Sequence, residues 1–146
     1  APLTVWSFIK AKGFKKKIAV LLIPLAFGLL TFAEIYGKNV VHHPAPPFFM
    51  LKNPTTIFPK YYVNEQYSYP SGHAARAVFV AIVASGIMLH ESSKNKKRKQ
   101  IVLLVAIAFV VLVSLGKIYL GQHWFSDVVG GILIGSAFGM SILVLL

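Results

Sequence analysis

His123 and Asp127 lie four residues apart in the stretch Gly116 to Asp127, the most polar part of an apolar second half. On a helix that spacing puts both side chains on one face, one turn apart. A carboxylate so placed can hold one imidazole nitrogen as N–H and leave the other free to attack. Lys117 ends the preceding apolar run, near enough in sequence to bind an anion beside His123. Taken alone, the same residues also describe a polar hinge between two helices.

A second group is Pro70-Ser71-Gly72-His73. A Ser-Gly pair opening a helix offers a hydroxyl and backbone N–H groups to an anion, with the helix dipole behind them. His73 would then stand beside the anion, placed to give a proton to a leaving oxygen. By itself the tetrapeptide is equally a helix start with an incidental histidine. The third group is Lys38 followed by His42-His43-Pro44-Ala45-Pro46. Alone, it reads as an interfacial lysine and loop histidines.

The elements that must carry these groups are membrane helices. Hydrophobic residues make up 56% of the 146 and charged residues only 13%, with no cysteine. Mean hydropathy is +0.69. That composition is one of a membrane protein, and 146 residues allow a single domain. The net charge of +11 invites a nucleic-acid reading, but the positions of the cations argue against it. Ten of the fifteen lie in two runs beside apolar spans, at Lys10–Lys17 and Lys94–Lys99, as cytoplasmic loops do.

A first span is predicted over 18–37, with Pro24 inside it and Glu34 at its interfacial end; about 20 apolar residues suffice. Residues 38–72 follow as a long connection. It is rich in proline and aromatics, which suits a loop on the membrane surface. Ser71 is placed to cap a second span over 73–90, with Arg76 one turn inside. A third helix is expected from about Ile101 to Leu120 and a fourth from about Trp124 to the end. Gly131, Gly135 and Gly139 strip one face of the fourth, the pattern of close helix packing. The expected fold is therefore an all-α polytopic membrane bundle of about four transmembrane helices. With the basic runs cytoplasmic, the segments 38–72 and 117–127 both fall on the extracytoplasmic side, and every candidate residue shares one face.

Together the three groups resemble the type 2 phosphatidic acid phosphatase superfamily of membrane lipid phosphatases. That family carries K-x6-R-P, then P-S-G-H, then S-R-x5-H-x3-D. The second pattern is complete at residues 70–73, and His123 and Asp127 match the third. The resemblance covers about residues 38–139. It implies a single membrane phosphatase domain over 1–146 in the cytoplasmic membrane of a bacterium or archaeon. Because the family has six spans and this chain opens on Ala1 with four, it also implies that earlier helices precede it.

In the implied reaction His123 is the nucleophile, Asp127 orients it, and His73 is acid and then base. Lys38, Ser71, Gly72 and Lys117 bind phosphate, and a phosphohistidine forms on His123. No metal and no cofactor are required, because the cations supply the electrostatics. The partners implied are a lipid phosphate and the bilayer, not a nucleic acid. Undecaprenyl pyrophosphate is the best substrate; phosphatidylglycerophosphate, phosphatidic acid or a lipid A phosphate are the alternatives, as is a catalytically weak lipid-phosphate-binding member. A small membrane scaffold is the reading furthest from these. Two departures stand out. Lys117 replaces an arginine and loses its bidentate fork. Ala45 stands where the first pattern has arginine, with His43 and Arg76 as possible substitute cations.

Overall fold

The computed structural model describes residues 14–50, 66–91 and 95–145. Four long helices account for most of them: α1 (Phe14–Val41), α2 (Gly72–Glu91), α3 (Lys96–Tyr119) and α4 (Phe125–Leu145). A single 3₁₀ turn, Phe48–Met50, follows α1. Among the described residues the only β-pairing is an isolated bridge between Pro44 and Tyr67. All four helices are long and apolar enough to cross a membrane. At 1.5 Å per residue, the shortest spans roughly 30 Å, the thickness of a bilayer core.

The helices pack through small residues. α2 lies chiefly against α4, with further packing of α3 on α2 and of α1 on α4. Gly131 and Gly135 permit this closeness: a Cβ at Gly131 would overlap the carbonyl oxygen of Ser71, just before α2, and one at Gly135 that of Ala75 in α2. The core is correspondingly thin. It comprises Ala26 and Leu30 of α1, Ala75, Phe79 and Val83 of α2, and Ile142 of α4. Phe27 meets Phe79 edge to face at 5.7 Å. Most large apolar side chains point outward instead, among them Phe32, Leu104, Leu112 and Val144. Bare apolar surface on every helix is what a lipid solvent requires.

The helices depart from expectation at one boundary that matters. α1 continues past residue 37 to Val41, so Lys38 is a helical residue and not part of a loop. Nothing between Gly37 and Val41 breaks a helix; the stop comes at His42, whose φ of 49° is left-handed, followed by Pro44. The surface-loop expectation falls largely on residues 51–65, and Lys10 and Lys12 of the first basic run on residues 1–13, all outside the described residues; Lys15, Lys16 and Lys17 of that run open α1.

Candidate active site

The C-terminal ends of α1 and α3 and the N-terminal ends of α2 and α4 meet at one end of the bundle. The connection after α1 is pinned there by its own backbone. Ala45 N–H donates to the Gln66 carbonyl at 3.0 Å, and Ser68 N–H to the His43 carbonyl at 3.0 Å. The His42 ring packs against Tyr67 at a 40° tilt, with centroids 4.7 Å apart. Trp124 Nε1–H donates to the Pro44 carbonyl at 2.9 Å, tying this segment to the start of α4.

Asp127 is the centre of the assembly and is wholly buried. It is the third residue of α4, and its Oδ2 accepts from the Trp124 N–H at 2.8 Å. That reach back to the residue before the helix is half of a capping box, and a negative charge is favourable at this helix end. His123 Nδ1 faces the same oxygen at 3.6 Å. This is ion-pair range but longer than a hydrogen bond. His43 Nδ1 lies 3.1 Å from the other oxygen, Oδ1, without hydrogen-bond alignment. The backbone carbonyl of Asp127 accepts from Ser71 N–H at 2.9 Å, so the same residue also ties α4 to the start of α2.

His123 reaches this position through a turn closed after α3. Gly121 takes a φ of 67°, a left-handed conformation natural to glycine. Its N–H donates to Ile118, and the Gln122 N–H to Lys117 at 3.1 Å. Lys117 Nζ donates to Gln122 Oε1 at 2.7 Å, which holds the ammonium over the turn. Burial lowers the His123 pKa below the ordinary 6.5. The charge of Lys38 lowers it further, against an opposing pull from Asp127. The imidazole is therefore held neutral at pH 7, as a nucleophile must be.

His73 is exposed in the first turn of α2. The basic groups close enough to act on it are Lys117, Arg76, His123 and Lys38. The structure thus brings both histidines and three cations to one place. Ser71 stands before α2, and its carbonyl accepts the Ala75 N–H at 3.0 Å, as at a helix start. Its side chain does not cap the helix as expected: the hydroxyl is fully buried and has no protein partner.

The two substitute cations are both committed. His43 faces Asp127, and Arg76 pairs with Glu34 while its Nε donates to the Gly72 carbonyl at 3.0 Å. Glu34 itself corrects an expectation. It is buried rather than interfacial, and it pairs with Lys38 at 3.2 Å as well as with Arg76. Glu34 and the role of Asp127 as a cap were not singled out from sequence. The i, i+4 spacing of Glu34 and Lys38 was the available signal for the first, and Asp at the third position of a helix for the second.

Known proteins with this arrangement are found by sequence and by structure. The model of the PAP2 superfamily matches residues 16–146. The chain is 33% identical over 122 residues to the undecaprenyl-diphosphatase of Sulfolobus acidocaldarius, covering 83% of this chain and 52% of that protein. It is 33% identical over 72 residues to phosphatidylglycerophosphatase B of Bacillus subtilis, covering 49% of this chain and 36% of that one. Among solved structures it is similar to a transmembrane PAP2-type phosphatidylglycerolphosphate phosphatase from Bacillus subtilis. The TM-score is 0.72 at 26% identity, over 97% of this chain and 65% of the other. The chain therefore spans about half, or less, of the length of the curated relatives it matches. A helical bundle whose three motif groups meet at one end, matched over nearly its whole length, leaves one assignment: the chain belongs to the PAP2 superfamily.

Proposed function

We propose that the protein is a membrane lipid phosphatase that cleaves an isoprenoid pyrophosphate or a phospholipid phosphate monoester through a phosphohistidine. The observation that carries this reading is the meeting of His123, backed by Asp127, with His73, Lys38 and Lys117 at one end of the bundle.

With Nδ1 turned to Asp127, Nε2 of His123 is the nitrogen free to attack. Its lone pair forms a P–N bond while the P–O bond to the lipid breaks. His73 gives its proton to the departing oxygen. A water, losing its proton to His73, then attacks phosphorus; the P–N bond breaks and inorganic phosphate leaves. Lys38 and Lys117 would offset the charge on the phosphoryl oxygens throughout. The buried Ser71 hydroxyl fits the same role, since a phosphoryl oxygen would give it the partner it otherwise lacks.

Undecaprenyl pyrophosphate is the first substrate to test, because the broader of the two sequence matches is with an undecaprenyl-diphosphatase. Phosphatidylglycerophosphate is the second, favoured by the structural neighbour. The purified full-length protein should release phosphate from one of these lipids with a chelator present. Release that stops on chelation would refute the metal-independent route, and no release from either would refute the substrate class.

The site is proposed to face the extracytoplasmic side. Support comes from the opposite end of the bundle, where Asn95 caps α3 ahead of Lys96, Lys97, Arg98 and Lys99; such runs stay cytoplasmic. In intact cells, cysteine at Gln66 should react with an impermeant maleimide and cysteine at Lys96 should not. The reverse pattern would invert the topology.

A further inference from the structure

Glu34 is a buried carboxylate that the reaction above does not use. It lies on α1 one turn below Lys38, and its two oxygens serve two cations. Oε1 is 3.2 Å from Lys38 Nζ, and Oε2 pairs with the Arg76 guanidinium. Arg76 is fixed by a second bond from its Nε to the Gly72 carbonyl at 3.0 Å. The carboxylate also lies so close over Gly72, the first residue of α2, that a Cβ there would overlap it. A side chain at position 72 would have to displace that carboxylate from its two cations.

The charges do not balance. One carboxylate faces two cations, so the group of three carries a net single positive charge. Both cations act on His73, at the place where the phosphoryl group would be handled. A phosphate bound beside His73 therefore meets cations already drawn toward an anion beneath them. Two anions sharing one set of cations weaken each other's hold.

Resting on the reading of this end of the bundle as a phosphate site, we infer that Glu34 is a positioning residue that shares Lys38 and Arg76 with the substrate phosphate. By competing for them it sets phosphate affinity low enough for the product to leave. A rivet between α1 and α2 would hold the helices together and leave phosphate affinity untouched.

The probe is inorganic phosphate as an inhibitor of lipid phosphate release by the full-length protein. Glu34→Gln should bind phosphate about tenfold more tightly or better, the scale of one charge-assisted hydrogen bond. KM and kcat should fall together as release slows. Arg76→Gln should do the reverse and weaken inhibition. In the Arg76→Gln background the gain from Glu34→Gln should shrink to less than about threefold, because one of the two cations it releases is gone; that non-additivity marks groups in one network. Unchanged or weaker inhibition in Glu34→Gln would overturn the inference, as would a Glu34→Gln gain of the same size in the Arg76→Gln background as in the wild type. Should Glu34→Gln fail to fold, Arg76→Gln decides alone: unchanged phosphate inhibition there refutes the sharing. A wild-type protein that neither binds phosphate nor releases it from lipid refutes the reading of the site itself; wild-type inhibition with unaltered variants refutes only the role of Glu34.

Discussion

His123→Ala should lower phosphate release by about four orders of magnitude or more, the scale seen when a covalent nucleophile is removed. Helix content by circular dichroism should stay at the wild-type level, because His123 lies in the turn between α3 and α4 and belongs to neither helix. The same residue predicts the acid side of the pH profile. Its pKa is lowered first by burial and then by Lys38, so the neutral, nucleophilic form persists below 6.5. Turnover should hold as the pH falls through that value and decline only further down. Lys38→Met removes a cause of the lowering, so its remaining activity should decline at a higher pH than the wild type's. An acid limb that does not move in Lys38→Met, or a His123→Ala variant with near-normal turnover, would rule out His123 as the attacking group.

His73→Ala should reduce turnover on lipid substrates by about 10²–10⁴-fold, the usual contribution of a positioned acid–base group. Inhibition by inorganic phosphate should persist, because Lys38 and Lys117 remain. The leaving group discriminates further. An aryl phosphate with an acidic leaving phenol needs little protonation as it departs, so bond cleavage should be slowed much less than with a lipid alcohol. Covalent phosphoenzyme should then accumulate on His123, since activation of water is still impaired. A variant that loses phosphate binding while keeping its turnover number would instead make His73 a binding group.

Much of this arrangement was legible in the sequence. Spans and their order follow from hydropathy, and the small-residue face of α4 from Gly131, Gly135 and Gly139. The placing of His123 and Asp127 on adjoining turns follows from their spacing. The remainder depended on contacts between distant segments. No local pattern says that Arg76 of α2 meets Glu34 of α1, forty-two residues earlier. Nor does any say that His43 arrives at the second oxygen of Asp127. The helix boundary at residue 37 was misplaced because Gly37-Lys38-Asn39 reads as a polar exit from the membrane. The i, i+4 ion pair of Lys38 with Glu34, which is itself held by Arg76 of α2, gives that polar turn a partner and lets the helix continue. The Ser71 hydroxyl followed neither capping statistics nor solvent exposure, because the close approach of α4 buries it.

The bonds joining residues 43–45 to 66–68 set a boundary for evolutionary change. Ala45 meets Gln66 and His43 meets Ser68, so the chain between them leaves and rejoins the bundle at a fixed doorway. The entropy of closing such an excursion grows only with the logarithm of its length. Insertions or deletions within it therefore add little thermodynamic load, so long as both ends keep these bonds. For the same reason it is the natural place to graft a reporter or a binding epitope into this scaffold.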